Sequence, residues 1–449
     1  MISFPDLPHL LDRYERTGPR YTSYPPIPSW SAAFGEIDYR AALADCGGSG
    51  DPVGVYVHLP FCIARCFYCG CNATVTRDNA VQRRYLDRLE RELALVGEAL
   101  GQRPRAVHIH WGGGTPNFLP LDQMLRLVEL LAKWFQVAPE TELSIEADPR
   151  VADPEQFELL KRLGFTRLSL GVQDLDPRVQ AAIGRGQSEN QVREAYTAAR
   201  AAGFGCINLD LVYGLPGQTR DGFARTLDAI VELRPERIAC FSYAHVPWVR
   251  PNQKRIDRSA LPTRDLKFSL FALAVERLTA AGYVWIGLDH FARPEDELAV
   301  ARRQRVLRRN FMGYSANPAP HLLAFGMSGI GEVAGRYVQN QARLGMYQRA
   351  LDEGRLPIGR GHHLTADDRC RRDAIIGLMC NLELSLGSLA ELSDDPSELF
   401  APLAADGLVT IEGDRVAVTP PGRFFLRNIC MALDAYSQPV DMPVYSQTI

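Results

Sequence analysis

Residues 53–72, VGVYVHLPFCIARCFYCGCN, join an apolar run to four closely spaced cysteines. The apolar run is continuous and rich in valine, as expected of a β-strand that is buried on both faces. The four thiols therefore fall in the loop that leaves the carboxyl end of a strand. In folds built from parallel strands, this is the edge at which active sites form.

Six further apolar, β-branched runs follow, separated by segments with helical periodicity. Between Asn79 and Gly101, leucine and valine recur at intervals of three and four, and Gly101 is a natural helix stop. Residues 121–135 and 188–202 show a similar pattern. This alternation predicts an α/β fold, a full or partial (β/α) barrel of parallel strands covered by helices. The seven runs begin at residues 53, 106, 142, 167, 207, 237 and 284.

The composition divides the chain into three regions. Residues 1–50 are rich in proline, glycine and tyrosine and predict an irregular N-terminal segment, which either covers the site or packs against the outer helices. The barrel is expected over residues 51–345. A mostly helical domain with a small hairpin is expected over residues 346–449.

Three elements are predicted within the C-terminal domain. Thr365 and Asp368 have the spacing of a capping box, which favours a helix over 365–382. A turn at residues 413–414 separates two short β-branched runs and indicates a hairpin. A last helix is expected over residues 421–436.

Composition excludes several function classes. The formal net charge is -3 and the pI is about 6.3, so the chain lacks the basic field that recruits nucleic acid without sequence preference. No apolar stretch is long enough for a membrane span, and the N-terminus lacks a signal-peptide pattern. We therefore expect a cytoplasmic monomer with neither nucleic-acid partners nor membrane insertion. In a reducing compartment, the 10 cysteines favour metal or redox chemistry over disulfides.

The cysteines at positions 62, 66, 69 and 71 have the spacing C-x3-C-x2-C-x-C. Structural zinc usually takes two separated pairs of ligands, whereas these thiols all lie in one loop. Such thiols suit the corners of a 4Fe-4S cluster, and three ligands leave one iron open to another molecule. Cys71 could supply a fourth ligand, but with one residue between it and Cys69 it would need an unusual turn. We predict that Cys62, Cys66 and Cys69 are the ligands.

Polar and glycine residues follow the other strands. Gly112, Gly113 and Gly114 end the second strand, and glycines let a ligand approach the backbone closely. Polar residues at the ends of apolar barrel strands are expected to line a site, although each could instead be a satisfied loop charge. These residues are Glu146, Gln173, Arg185 and Asp210.

The cysteine motif after a first barrel strand resembles the radical S-adenosylmethionine (SAM) superfamily. In that superfamily the open iron binds the amino and carboxylate groups of SAM, and reductive cleavage gives methionine and a 5'-deoxyadenosyl radical. Tyr68 stands where the superfamily usually has an aromatic residue, and the glycines resemble its motif for the SAM amino group. The resemblance implies a 4Fe-4S cluster, bound SAM and a partial barrel of the radical SAM type.

Almost the whole chain resembles the oxygen-independent coproporphyrinogen III oxidases, also called coproporphyrinogen III dehydrogenases. Two departures are small: Tyr68 stands where phenylalanine is common, and GMSGIG from residue 326 replaces a GVSAIS-like stretch. The matching stretches include GPRYTSYP from residue 18, YVHLPFCIARCFYCGCN from 56, HWGGGTP from 110, SIEADPR from 144, NLDLVYGLPGQT from 208, GLDHFARPEDELA from 287 and RNICMALDAY from 427.

The resemblance assigns roles to particular residues. Contacts to the cluster-bound SAM are implied for Tyr56, Gly113, Glu146 and Ile330. Contacts to a second SAM molecule are implied for Tyr68, Gly114, Thr115, Gln173, Arg185, Asp210 and Ala244.

The implied reaction is oxidative decarboxylation of two propionates of coproporphyrinogen III to vinyl groups, which gives protoporphyrinogen IX in heme biosynthesis. It requires a low-potential electron donor such as flavodoxin. A substrate with four carboxylates favours cationic partners, although each candidate could be an ordinary structural or solvated arginine. The candidates are Arg20, Arg293, Arg308 and Arg309.

Two other functions share part of this pattern. A related family of heme chaperones keeps the three cysteines, but GPRYTSYP, the C-x-C ending and RNICMALDAY match the oxidases and are not expected in a chaperone. A heme-degrading or methylating relative would share barrel and cluster but should lack the N-terminal segment. These features favour the oxidase.

Overall fold

A computed structural model describes residues 7–436 and 446–448. The bounds of its strands, in chain order, are β1 (Val53–Leu59), β2 (Phe61–Cys62), β3 (Thr74–Val75), β4 (Ala106–Gly113), β5 (Glu142–Ala147), β6 (Phe165–Gln173), β7 (Cys206–Tyr213), β8 (Arg237–Ser242), β9 (Val284–Gly287), β10 (His290–Ala292), β11 (Arg308–Asn310), β12 (Gly313–Ser315), β13 (His321–Phe325), β14 (Ile330–Val333), β15 (Arg336–Asn340), β16 (Ile358–His363), β17 (Glu383–Ser385), β18 (Val409–Glu412) and β19 (Arg415–Val418).

The α-helices cover the sheet and fill the two ends of the chain. Their bounds are α1 (Leu7–Tyr14), α2 (Glu36–Ser49), α3 (Asn79–Leu100), α4 (Leu121–Trp134), α5 (Pro154–Arg162), α6 (Pro177–Ala182), α7 (Glu189–Ala201), α8 (Arg220–Leu233), α9 (Arg264–Ala280), α10 (Glu297–Arg303), α11 (Leu344–Asp352), α12 (Ala366–Asn381), α13 (Ala401–Ala405) and α14 (Leu426–Cys430). In the described part of the chain, no helix has the length and apolar character needed to cross a membrane.

A sheet of 12 strands forms the centre, in the order β16-β15-β14-β13-β1-β4-β5-β6-β7-β8-β10-β9. Strands β13, β1 and β4 to β8 run parallel to one another, whereas the strands added at both edges pair antiparallel. The predicted partial barrel of parallel strands is therefore confirmed. All seven residues of β1 are buried, as its continuous apolar run requires.

The predicted parallel strand at residue 284 is wrong. Residues 284–292 form the hairpin β9-β10, in which Leu288 and Asp289 make the turn and Leu288 has a φ of +34°. A connection this short can join only antiparallel strands, because a parallel crossover needs a dozen residues or more. The parallel strand on the other side of β1 is β13, which the sequence did not reveal.

The predicted helices over 79–101, 121–135 and 188–202 are confirmed as α3, α4 and α7. Gly101 ends α3 with a φ of +69°, the left-handed conformation that glycine adopts without strain. Each of these helices buries an apolar stripe against the sheet. Together they leave the carboxyl ends of the parallel strands open.

The N-terminal segment is more regular than predicted, since residues 7–49 contain α1 and α2. Between these helices, Tyr21 and Tyr24 are buried. The Tyr21 hydroxyl donates to Asp434 at 2.9 Å, and Tyr24 packs edge-on against Tyr436. This part of the segment therefore packs against the end of the C-terminal region.

The C-terminal region keeps two of its three predicted elements. Thr365 caps α12 in a capping box, and β18 and β19 pair across Gly413. The single helix predicted over 421–436 is wrong, because 3-10 turns flank the short α14. All five residues of α14 are buried. The segment therefore packs on every side, and this packing determines its conformation more than the apolar stripe of a surface helix would. The central sheet also continues to β16, past residue 345.

Candidate cluster and cofactor site

A cavity of about 830 Å³ opens at the carboxyl ends of the parallel strands and extends into the barrel interior. Most of the residues proposed from the sequence line it. They are Cys62, Cys66, Cys69, Cys71, Tyr68, Gly113, Gly114, Thr115, Glu146, Gln173, Arg185, Asp210 and Ala244. The topology brings these residues together from six strands.

The cysteine loop is held by hydrogen bonds from a neighbouring segment. Asn252 Nδ2 donates to the carbonyl oxygens of Phe67 at 3.0 Å and Cys69 at 2.9 Å. Gln253 Nε2 donates to the carbonyl oxygen of Tyr68 at 2.9 Å. Side-chain amides thus satisfy the loop's backbone and fix the direction in which its thiols point.

Each proposed ligand sulfur has a polar neighbour. The Thr115 hydroxyl lies 3.3 Å from Cys62 Sγ. Two guanidinium groups approach Cys66 Sγ, Arg185 at 3.6 Å and Arg150 at 3.7 Å. Positive charge beside sulfur stabilises a thiolate, which is the form that binds iron.

The thiols differ in their acidity. Burial raises the pKa of Cys62 to about 11. Hydrogen bonding from Cys71 lowers the pKa of Cys69 to about 6, and the same contact holds the pKa of Cys71 well above its ordinary value. The backbone N–H of Cys71 also points to Cys69 Sγ, at 3.4 Å.

The arrangement of thiols fits a 4Fe-4S cluster. A cubane takes each thiolate at a different iron, so three thiols from one loop suit it. Cys62, Cys66 and Cys69 all line the cavity and would hold such a cluster there.

The glycine motif lets the backbone approach the cavity. Gly113 has a φ of +118°, and a Cβ placed on it would lie 2.6 Å from the His58 ring. A Cβ on Gly114 would lie 2.6 Å from the backbone of Pro60. Neither position accepts a side chain, so both glycines are required by the strand end itself.

Glu146 is anchored on one side only. Its Oε2 accepts from the backbone N–H of Gly113 at 2.9 Å, and its Oε1 lies 3.5 Å from His110 Nε2. Burial alone would raise the pKa of Glu146, but His110 and the Gly113 amide hold it below its ordinary value. The carboxylate is therefore charged and faces the cavity, as a partner for an ammonium group should.

Asp210 lies across the cavity from the cysteines. Its carboxylate accepts from Ser169 at 2.9 Å and from Asn208 at 2.7 Å. Burial and the nearby charge of Glu146 raise the pKa of Asp210 to about 6. A buried carboxylate with a raised pKa at a cavity wall is typical of a ligand-binding position.

Arg185 belongs to a buried charged group. Its guanidinium donates to Asp148 at 3.0 Å and to the carbonyl oxygen of Gly171 at 2.6 Å. Arg150 binds the other oxygen of Asp148 at 2.6 Å. Burial opposes ionisation of Asp148, but the two arginines hold its pKa below the ordinary value. Gln173, at the end of β6, has a φ of +71° and is 9% exposed.

Two proposed residues do not reach the cavity wall. Tyr56 is buried, with its hydroxyl 3.1 Å from His58 Nδ1 and its ring stacked on that of His110. Ile330 packs in an apolar cluster with Trp30 and Tyr337. Of the four candidate arginines, only Arg20 lines the cavity. Arg293, Arg308 and Arg309 lie outside it.

Sequence reasoning missed several residues that support the site. His58, His110 and Asp148 hold proposed contacts in place. Arg150 is the second cation beside Cys66. Asp148 and Arg150 lie in SIEADPR, the stretch that contains Glu146, so the motif marked them, but their partners became visible only in the folded chain.

Comparison with known proteins agrees with this geometry. Residues 56–230 match the family model described as "Radical SAM superfamily", and residues 364–425 match "HemN C-terminal domain". The fold and the cysteine site thus define a radical SAM enzyme.

Relatives that match almost the whole chain identify the family within this class of enzymes. A Pseudomonas aeruginosa protein named oxygen-independent coproporphyrinogen III oxidase is 40% identical over 98% of both chains, and one of that name from Escherichia coli K12 is 41% identical over 98% of both. A solved structure titled "Coproporphyrinogen III oxidase (HemN) from Escherichia coli is a Radical SAM enzyme" has a TM-score of 0.89 at 41% identity, covering 93% of this chain and 97% of that one. The chain belongs to the family of oxygen-independent coproporphyrinogen III oxidases.

Proposed function

We propose that this protein converts two propionate side chains of coproporphyrinogen III to vinyl groups without oxygen, which gives protoporphyrinogen IX. The observation that carries the proposal is the set of three cysteines lining a large cavity, in a chain that is similar over 98% of its length to proteins named as oxidases. At each propionate a hydrogen atom would pass from the β-carbon to the 5'-deoxyadenosyl radical, and the substrate radical would then lose one electron to an external acceptor and release CO2, which leaves the vinyl group. The related heme chaperones are not favoured by these relatives.

The cluster and SAM supply the radical that such a reaction needs, since the β-carbon C–H bond is strong and unactivated. Cys62, Cys66 and Cys69 would hold the cluster. Glu146, with its charged carboxylate fixed by Gly113, would receive the SAM ammonium group. Arg150 and Arg185 place positive charge beside Cys66 and so favour the reduced, more negative cluster.

A second SAM molecule is proposed in the same cavity. The supporting observation is that the cavity walls carry further polar groups and backbone besides Glu146 and Gly113. They belong to Tyr68, Gly114, Thr115, Gln173, Arg185, Asp210 and Ala244. For the first SAM, Tyr56 and Ile330 would act from behind the wall, through the rings and apolar groups they support.

Arg20 is the arginine proposed to bind a substrate carboxylate. It lines the cavity, and its Nη2 donates to the carbonyl oxygen of Ser242 at 2.6 Å, which leaves its other donors for a ligand. Arg20 also belongs to the N-terminal segment, so this segment would contribute to the substrate site as well as to packing. Tyr21 and Tyr24 are buried, so Arg20→Gln tests this role more cleanly than removal of residues 1–25.

The function is tested by anaerobic incubation of the reconstituted protein with SAM, dithionite, an electron acceptor and coproporphyrinogen III. Protoporphyrinogen IX should accumulate together with 5'-deoxyadenosine and methionine. Arg20→Gln should raise the KM for the substrate, while SAM cleavage without substrate stays unchanged. Stoichiometric heme binding with no decarboxylated product would instead identify a chaperone.

A further inference from the structure

Segment 245–258 packs on the outer side of the cysteine loop. Asn252 and Gln253 bind the loop's carbonyl oxygens, and the guanidinium of Arg255 lies 3.8 Å from the centre of the Phe67 ring. A protein bound to the outside of this segment would be separated from the cysteines by one layer of chain. That is a short path for an electron.

The segment and the cysteine loop carry an excess of positive charge. Between residues 245 and 258 the only acid is Asp257, whose carboxylate accepts from the amide and hydroxyl of Ser259. In the described ranges none of the five basic side chains here forms an ion pair, whereas Arg126 on α4 binds both Asp87 and Glu90. The five are Arg65, Arg250, Lys254, Arg255 and Arg258.

Two large apolar side chains stand within this basic surface. Trp248 is 48% exposed and Val249, which also lines the rim of the cavity, is 51% exposed. An apolar centre inside a charged rim is the common anatomy of a protein interface. Electron-transfer complexes belong to the class of small, transient interfaces.

We infer that the surface formed by Trp248, Val249, Lys254, Arg255 and Arg258 is the docking face for a small acidic protein that donates single electrons. The inference rests on the proposed function, because reductive cleavage of SAM needs one electron for each molecule cleaved. A reduced flavin or iron–sulfur protein loses that electron at this face, and the cluster gains it. Unpaired positive charge speeds the approach of an acidic partner and fixes its orientation.

The test uses the reconstituted holoenzyme and a reduced flavodoxin as probe. Lys254→Glu combined with Arg258→Glu should weaken flavodoxin binding at low salt by about tenfold or more, the low end of electrostatic steering effects. Stopped-flow oxidation of the flavodoxin should slow to match, and the salt dependence of binding should flatten. Activity with dithionite should stay within twofold of wild type, because neither residue lines the cavity.

Lys133→Glu is the matched control. This exposed lysine is one residue from the end of α4, a helix that runs away from the cysteine loop, and its reversal should change neither flavodoxin binding nor flavodoxin oxidation. Unchanged binding and electron transfer in the double variant would overturn the inference. So would an equal loss with dithionite, since the face would then serve folding or substrate binding. If the wild-type protein with dithionite formed no protoporphyrinogen IX, the proposed function would be wrong. The docking face would still be tested, because flavodoxin binding is measured separately.

Discussion

The two ends of the barrel cavity carry similar residues with different partners. At the amino ends of the strands, Arg237 binds Asp296 at 2.9 Å and Glu297 at 2.7 Å, and Arg167 binds Glu142 at 2.6 Å. These charges satisfy one another. Toward the carboxyl ends, Glu146 and Asp210 line the cavity, and in the described part of the chain neither forms an ion pair with an arginine or lysine. A carboxylate that lines the cavity without such a partner indicates a ligand, whereas the carboxylates at the amino ends are already paired.

The largest effect should follow removal of a cluster ligand. Serine at position 62, 66 or 69 should abolish the visible absorption of the cluster after anaerobic reconstitution, and SAM cleavage with it, because a hydroxyl does not replace a thiolate on iron. Cys71→Ser is the matched control from the same loop, and it should keep the absorption. Loss of the cluster in Cys71→Ser alone, or zinc in the anaerobically purified protein, would contradict the assignment.

The next effect is on stability at the amino end. Arg237 is 4% exposed and Asp296 is 5% exposed, so Arg237→Met leaves the buried Asp296 carboxylate without its cation, while Glu297 keeps its contact with Arg167. Breaking a buried pair in this way costs about 3–5 kcal/mol of unfolding free energy. Chemical denaturation should show that loss, while SAM cleavage per folded molecule at low temperature is kept. If Arg237→Met instead kept its stability and lost SAM cleavage, the amino end of the cavity would serve the reaction and not folding.

Asp210→Asn should lower activity and not stability, the opposite of the result expected for Arg237→Met. The pKa of Asp210 is raised from 3.8 to about 6 in the folded protein. Between these two pH values the unfolded chain therefore binds fewer protons at Asp210 than the folded chain does. The free energy of unfolding therefore falls by about 3 kcal/mol at most as the pH rises through this window. Above the window, the charged carboxylate of Asp210 destabilises the folded protein. The asparagine variant should keep or raise its Tm at pH 8 and lose SAM cleavage by about 100-fold, as a removed polar contact to a charged ligand does. A large fall in Tm with cleavage intact would show that Asp210 is structural.

The contrast between the ends also explains what the sequence could predict. The cysteines and glycines act through local spacing, so one stretch of chain was enough to place them. The ion pair between Asp148 and Arg185 joins a residue after β5 to one in the loop after α6, where the sequence had placed Arg185 at a strand end, and only the folded chain brings them together. The hairpin at residue 284 was misread because its two strands look apolar, like those of the barrel, and only the two-residue turn distinguishes them.

Tyr56 and Ile330 show another limit of prediction from the sequence. Their roles came from resemblance to a family, and the structure places both behind the cavity wall. No pattern in this chain indicates that a buried tyrosine on β1 supports a site through its neighbour His110. Indirect support of this kind depends on ring stacking between strands, which a single sequence does not reveal.

The smallest effect should come from His110, which positions Glu146 without facing a ligand itself. His110 Nδ1 lies 2.8 Å from the Ser144 hydroxyl, and its Nε2 lies 3.5 Å from Glu146 Oε1. His110→Phe keeps the ring but removes both contacts, each worth about 0.5–1.5 kcal/mol. Glu146 keeps its bond from Gly113, so the Kd for SAM should rise only about three- to tenfold, with kcat and the cluster spectrum unchanged. Ser144→Ala, which removes only the outer contact, should have a smaller effect on the Kd. If His110→Phe instead lowered kcat at saturating SAM, the histidine would act in the reaction itself, and the division between groups that face the cavity and groups that hold them would have to be redrawn.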